Sequence, residues 1–563
     1  MSVKRYVMYA AGSLLSLAAV AVPPKPGFIK VSQPDGTAFE AKIVGDEHFQ
    51  YYVTPEGNYL VADPADGFYK PAAIDATGKV VPATQTGRTT FSRDEFSSAA
   101  MLTYNNKVEA TRANAPAKVA PAAIKRDFPT TGTVRGLIVL AEFEDVKFQP
   151  QAIQEHYDAQ VNQANYSSPE TSGSVNDYFK EQSGGIFSPV FDIVGPITLP
   201  HERAWYGLEE KYDDLFRDAA KAVKTQYDTD FTRYDVNDDY FVDFFFVIFA
   251  GHGQAQGGPA ECIWPAMKDV SNFVFDSFDG MYLGVAACSC ELKGSEGANL
   301  DGVGTICHEF SHILGLPDIY DAMQTGGYGM GHYDMLCYGP YNDDGRTPCS
   351  YTAMEKFTLG WIEPTVLEEP EANVTLGNFN TTNDCRFIVN PDNTNEYYTL
   401  ENRQQVGFDS ALPGHGLVIS YVHYDKSIWK KNTVNSPTLS RYEHVSLIAA
   451  DNHYLMDPVS EAADTWPGTK DKTVFADDTT PAAIWRSSNK PVGKPITNIR
   501  ENADGTVSFD FNYSASVSDI ATDSNESKTY YNLQGIEVPA DNLTNGVYIV
   551  RTASGKTSKV NIR

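Results

Sequence analysis

The sequence predicts a multidomain fold in which a mixed α/β unit is followed by an all-β unit and a small β unit at the C-terminus. Three observations carry this. At 563 residues the chain is too long for a single hydrophobic core. Between 131 and 364, nearly unbroken apolar runs alternate with helical spacing, the pattern of buried strands interleaved with helices. From 365 the character changes to short alternating strands separated by turn residues, which reads as a β-sandwich over 365–513. A Ser-, Asp- and Asn-rich linker at 514–529 then leads to a last β unit at 530–563.

Taken in order, the chain opens with Lys4 and Arg5, an apolar stretch from Tyr6 to Val20, and the small residues Ala19, Val20 and Ala21. This is the pattern of a secretory signal peptide, 1–21, cleaved after Ala21, and the stretch is too short for a membrane anchor. Alternating strands follow, as in FEAKIVG and HFQYYVT, until an Ala-, Pro- and Lys-rich stretch around 113–125 reads as an exposed linker. The α/β unit begins with a buried strand at 134–143 (VRGLIVLAEF), then a polar-capped helix at 174–182 (SVNDYFKEQ) and helical spacing over 213–227. A second buried strand is expected at 241–250 (FVDFFFVIFA), and a strand at 281–292 is expected to form the edge beside a cleft.

Two compositional facts limit the function. The formal net charge of -29, without a Lys/Arg cluster, argues against nucleic acid as a partner. Seven cysteines, at 262, 288, 290, 307, 337, 349 and 385, leave at least one thiol unpaired, and Cys288 and Cys290 read as strand residues rather than metal ligands.

The most informative stretch is 308–318, HEFSHILGLPD. Residues four apart on a helix share a face, so His308 and His312 can aim their imidazoles at one cation, with Glu309 placed to take a proton from a water beside it. Gly315 lets the backbone leave the helix with positive φ, so that Asp318 can return as third zinc ligand; Asp321 and nearby carboxylates are rivals for that place. Metzincins usually have histidine there, and a carboxylate oxygen is an acceptable donor. A bland reading makes this an amphipathic helix burying Ile306, Phe310, Ile313 and Leu314, but it leaves the glycine and aspartate unexplained. The α/β unit is therefore expected to be a metzincin-like zinc peptidase domain. A linker upstream of such a hydrolase makes 22–130 a removable propeptide. With no cysteine before Cys262, its block has to use a carboxylate, a histidine or bulk rather than a thiolate.

Around this motif lie weaker candidates. Asp235, Asn237, Asp239 and Asp243 alternate oxygen donors as calcium loops do, yet Tyr240 stands where such a loop turns on glycine and no Glu closes it, so calcium and a solvated acidic turn are equal readings. Met335 is the candidate floor of the site, and Tyr338 is either a stabiliser of the oxyanion or a packed loop tyrosine. His415 and Trp466 are candidates for a substrate groove, with a turn histidine the plainer reading of His415.

The segments HEFSHILGLPDIYD, SVNDYFKEQSGGIF, YDVNDDYFVDFFFVIFAGHG and AMEKFTLGWIEP resemble the immune inhibitor A family of secreted bacterial metallopeptidases, from the start of the pro-segment to about Tyr513. The resemblance implies a zinc endopeptidase with a propeptide, His308 and His312 as ligands, Glu309 as general base, and the Asp235 cluster as a calcium site. One departure is that the family's turn would place methionine at Leu336, whereas here Met335 precedes it. Residues 530–563 resemble the C-terminal sorting domain of type IX secretion, through AsnLeuGlnGly at 532–535 and AsnGlyValTyrIleVal at 545–550; the alternative is an adhesion module. The chain is thus expected to be a secreted or outer-membrane-surface endopeptidase acting on extracellular proteins, with no transmembrane anchor and with the secretion machinery as a further partner. The alternatives are an adhesin or glycan-binding protein that retains a protease fold, and an amidase acting on peptidoglycan.

Overall fold

The computed structural model describes residues 20–84, 87–113, 128–150, 154–208, 211–271, 276–322, 325–513, 528–532, 535–544, 546–552 and 557–562. Most of the expected signal peptide, the 113–125 linker and the 514–529 linker therefore lie outside the described residues. The chain divides into two compact units, 1–511 and 512–563.

At the centre of the larger unit is a six-stranded sheet in the order Val20–Ala21, Ala266–Asp269, Val285–Leu292, Phe245–His252, Arg135–Glu142, Val190–Thr198. The last four are parallel to one another, whereas Ala266–Asp269 runs antiparallel to Val285–Leu292. The apolar runs have a simple cause, since a strand flanked on both sides and covered on both faces has no solvated face on which to alternate. All of Phe245–Gly251 is buried. Helix Tyr212–Tyr227 turns Leu215, Phe216, Ala219, Ala220 and Val223 inward, a 3.6-residue stripe. Helix Val175–Gln182 starts at a capping box in which Ser174 and Asp177 satisfy each other's backbone amides.

The sheet order corrects one expectation. The 281–292 run does not form the edge; its strand Val285–Leu292 lies inside the sheet, whose two edges are Val20–Ala21 and Val190–Thr198. The second apolar run is also divided, into Phe241–Val242, which pairs with Tyr282–Leu283, and Phe245–His252.

Before the α/β core, six strands from Ile29–Ser32 to Val80–Pro82 form an antiparallel meander in sequence order. Helix Arg93–Ala113 packs Phe96, Ala99 and Ala100 into the core of that sheet. The meander is fastened to the α/β core: Ser32 N–H donates to Gly257 O (3.0 Å) and the Tyr69 hydroxyl to Gly258 O (3.1 Å).

After the α/β core, a sheet in the order Thr365–Val366, Cys385–Val389, Glu396–Arg403, Gly416–His423, Val445–Leu447 shares a hydrophobic core with the three-stranded sheet Glu371–Leu376, Val507–Phe511, Ile496–Glu501. Trp466 is fully buried in that core, donating its indole N–H to Ile448 O, so it lines no groove. His415 faces Glu501 at 2.8 Å. The seven cysteines are all buried and unpaired. In the smaller unit, strands Lys528–Tyr531, Glu537–Val538, Gly546–Thr552 and Thr557–Ile562 form an antiparallel sheet; Asn545 of the expected AsnGly turn lies outside the described residues.

Candidate metal centre and cleft

Helix Gly304–Ile313 carries the first site residues, and every one of its ten residues is buried. It is seated closely, because a Cβ at Gly304 would stand 2.1 Å from Pro340 O. At the other end Gly315 adopts φ +96°, a conformation that side-chain-bearing residues resist, and the chain turns back.

That turn brings Asp318 to the histidines. Its Oδ1 lies 3.3 Å from His308 Nε2 and 3.2 Å from His312 Nε2, and the two Nε2 atoms are 3.0 Å apart. The tautomers follow from the other ring nitrogens. His308 Nδ1 donates to Met335 O and His312 Nδ1 to Leu316 O, both at 2.8 Å, since a carbonyl can only accept. Each Nε2 therefore presents a lone pair, and two lone pairs converge on a carboxylate in a buried space. A cation resolves that repulsion, so the donor set suits zinc. Among the described residues these three form the one group of at least three His, Cys, Asp or Glu whose ligand atoms all lie within 4.8 Å of one another. Asp321 is turned elsewhere, accepting from Thr325 and Gly327 amides and the Ser436 hydroxyl.

Charge follows the geometry. Burial works against the charged form of Asp318, and the carboxyl is held down at about 2 only when His312 and His308 are protonated on Nε2; with both lone pairs turned inward, a cation takes that part. Glu309 moves the other way: burial, then repulsion from Asp318, pushes its carboxyl well above the ordinary range. Its Oε2 is buried without a hydrogen-bond partner, whereas Oε1 accepts from Val22 N–H at 2.7 Å.

Residues 20–23 lie buried beside Glu309. Val20 and Ala21 pair antiparallel with Met267 and Ala266. The Tyr320 hydroxyl donates to Ala21 O (2.7 Å), the Trp264 indole to Val22 O (3.0 Å), and the Tyr341 hydroxyl to Pro23 O (2.6 Å).

The weaker candidates are placed as follows. Met335 is fully buried, and its carbonyl accepts from His308 Nδ1. Tyr338 packs its ring beside those of Tyr320 and His332 (centroids 6.3 and 6.1 Å), while the tyrosine hydroxyls that reach residues 20–23 belong to Tyr320 and Tyr341. In the acidic loop the carboxylates turn inward on backbone amides: Asp235 accepts from Asp239 and Tyr240, Asp239 from Phe241, and Asp243 from Val236. Asp235, Asp239 and Asp243 are not gathered as His308, His312 and Asp318 are, and burial raises Asp243 to about 7. The calcium expectation gains no support from this arrangement.

Two site residues had no legible signal. Asn432 brackets Asp318, donating Nδ2–H to its Oδ2 (2.6 Å) and accepting its backbone N–H on Oδ1 (2.8 Å) from 114 positions away. Tyr320, two residues past Asp318, reads in sequence as any core aromatic.

Residues 137–359 match the family model described as "Immune inhibitor A peptidase M6, catalytic domain". The chain is 30% identical over 219 residues to Immune inhibitor A of Bacillus thuringiensis subsp. alesti, covering 32% of this chain and 31% of that protein. It is 26% identical over 282 residues to the pre-pro-metalloprotease PrtV of Vibrio cholerae serotype O1 (strain M66-2), covering 41% of this chain and 30% of the relative. The chain thus spans less than a third of the length of either relative. Both the matched segment and the buried His308, His312 and Asp318 group inside it lead to one conclusion: residues 137–359 are similar to the catalytic domain of the immune inhibitor A peptidase M6 family.

Proposed function

We propose that the chain is a zinc-dependent endopeptidase that hydrolyses peptide bonds of extracellular proteins and is made with a propeptide lying across its own cleft. The observation that carries this is the convergence of His308 Nε2, His312 Nε2 and Asp318 Oδ1 next to the carboxylate of Glu309. A zinc ion held by these three residues would polarise a peptide carbonyl and lower the pKa of a water. Glu309 would accept a proton from the water that attacks the peptide carbonyl and would pass a proton to the departing amine. Asn432 and the carbonyls of Met335 and Leu316 keep the ligands in place.

Latency follows from the same geometry. Glu309 Oε1 is engaged by Val22 N–H, and Trp264 and Tyr341 hold the Val22 and Pro23 carbonyls, so the first residues of the propeptide supply a block of backbone bulk, which Val20 and Ala21 extend until the signal peptide is removed. On this reading 22–130 is the propeptide, 131–364 the catalytic domain, 365–513 the β-sandwich and 530–563 the sorting domain that engages the secretion machinery. The word pre-pro in the name of the Vibrio relative supports removable N-terminal segments. No described helix is long and apolar enough to cross a membrane.

The test is incubation of the matured, zinc-loaded protein with casein and a complex peptide library, with and without a zinc chelator. Cleavage should stop on chelation, and folded, zinc-loaded Glu309→Ala should be slower by about 10²–10⁴-fold, the usual worth of a positioned base. Casein cut equally fast by that variant sinks the proposal.

A further inference from the structure

The segment in the cleft carries more information than latency, because one of its peptide bonds is held at both ends. Ala21 O accepts from the Tyr320 hydroxyl at 2.7 Å, and Val22 N–H donates to Glu309 at 2.7 Å. In a trans peptide the carbonyl oxygen and the amide hydrogen point to opposite sides, so Tyr320 and Glu309 flank the Ala21–Val22 bond from opposite sides. The next two carbonyls are held by Trp264 at 3.0 Å and Tyr341 at 2.6 Å. The side before the bond is held by strand pairing, Ala21 with Ala266 and Val20 with Met267. Ala21 and Val22 are 0% and 1% exposed, so their side chains are enclosed by walls that fit a small residue and a small branched one. A segment that only plugs a hole has no need of a hydroxyl on one side of a peptide bond and the general-base carboxylate on the other.

We propose that residues 20–23 lie in the register of a substrate and that Tyr320 is the catalytic hydroxyl that stabilises the oxyanion at the scissile carbonyl, with Trp264 and Tyr341 holding the two carbonyls on the amine side. This rests on the peptidase reading above. In the reaction the water oxygen bonds to the carbonyl carbon and its proton passes to Glu309. The C–N bond then breaks, its electron pair stays on nitrogen, and nitrogen receives the proton from Glu309. Tyr320 keeps its own proton throughout and gives only a hydrogen bond, which strengthens as charge develops on the oxygen. The substrate class is an extended peptide with a small residue before the cut and a small β-branched residue after it. The small-residue pattern marks the same bond for removal of the signal peptide, so the contacts of Val20 and Ala21 belong to the uncleaved chain and locate where the residues of a substrate before the cut are seated.

The test uses wild type and Tyr320→Phe, both expressed at full length, allowed to mature and loaded with zinc, with a synthetic peptide of residues 17–26 (LAAVAVPPKP) and casein. Wild type should cut the peptide after Ala21. Tyr320→Phe should lower kcat on it about 10²-fold, in line with loss of one oxyanion donor, with KM within about twofold and zinc content and Tm unchanged. Independently of turnover, its affinity for a phosphinic analogue of the Ala–Val bond should fall at least about tenfold, since the analogue carries the oxyanion. The proposal is overturned if Tyr320→Phe keeps kcat and analogue affinity within about threefold, if it loses zinc, or if wild type cuts casein but not this peptide after Ala21. Wild type that holds zinc and leaves casein intact instead overturns the peptidase reading itself.

Discussion

Asp318 shows how much of this site depends on a residue far from it. Its Oδ1 faces both histidines, and its Oδ2 and backbone N–H are held by the two ends of one amide, Asn432. A carboxylate clamped in this way reaches the ligand position without losing side-chain freedom on binding, which is why supporting partners are typically worth 10–100-fold in metal affinity. Asn432→Ala should therefore weaken zinc binding by roughly 10–100-fold while changing the Tm of the metal-free protein little. Competition with a chromophoric chelator reads the first quantity and thermal unfolding the second. The same titration separates the rival ligands. Asp318→Ala should abolish tight binding, whereas Asp321→Ala should retain it and loosen only the turn through Thr325 and Gly327. His308, Glu309 and His312 were legible because helix geometry converts a spacing of four into one face, and Asp318 was legible because Gly315 turns the chain within a few residues. Asn432 was not legible, since nothing local links it to a carboxylate 114 positions earlier.

Among elements, strands were readable as strands, but their order was not. The 281–292 run and Ala266–Asp269 belong to one sheet, and a periodic pattern does not say which neighbour ends it; that depends on pairing between segments remote in sequence. The divided run at 241–252 has the same origin, since Phe241–Val242 pairs with Tyr282–Leu283 and leaves the central sheet. The short helix Pro458–Glu461 escaped sequence reading altogether, yet it clamps the loop beneath the site. Glu461 accepts from His332 N–H and faces its ring, the Tyr333 hydroxyl donates to Glu461 O, and just beyond the helix Asp464 accepts from the Tyr328 hydroxyl. Burial raises the Asp464 carboxyl to about 8, outweighing the Tyr328 hydrogen bond. Its value in the unfolded chain is near 3.9, so the folded state holds the extra proton between the two. Stability from this group is complete below about pH 4, falls as pH rises, and is lost above about 8, at up to ~1.4 kcal/mol per pH unit and less because solvent still reaches the group. Asp464→Asn copies the protonated form. Its Tm should match wild type at pH 4 and exceed it increasingly toward pH 8; a constant difference across that range would show that Asp464 does not titrate there.

At the scale of the whole molecule, the β-rich part after residue 365 is joined to the metal site through a buried ion cluster. Arg403, at the end of strand Glu396–Arg403, is fully buried, with its guanidinium on Asp409 (2.6 and 2.7 Å) and Glu401 (3.0 Å). It also donates to Ser350 O (3.0 Å) and to Tyr333 O (3.3 Å), in the loop that leads to Met335 and so to His308. Asp409 in turn accepts from Ser350 N–H (2.8 Å), and Glu401 from Ala353 N–H (2.5 Å). Replacing such a cluster as a set by apolar groups need not destabilise, but removing one partner leaves buried charge without compensation, at about 3–5 kcal/mol. Arg403→Met keeps much of the volume and strands two carboxylates, so it should cost about that much. Because the cluster joins both sides of the seam, the loss should appear as one lowered transition for the catalytic and β-rich regions together, with zinc affinity falling as the Tyr333–Met335 loop loosens. Calorimetry with added zinc checks this. Two separate transitions, of which only the β-rich one moves, would show that the α/β core holds its metal site without the sandwich, and a fragment of 131–364 should then fold and bind zinc alone.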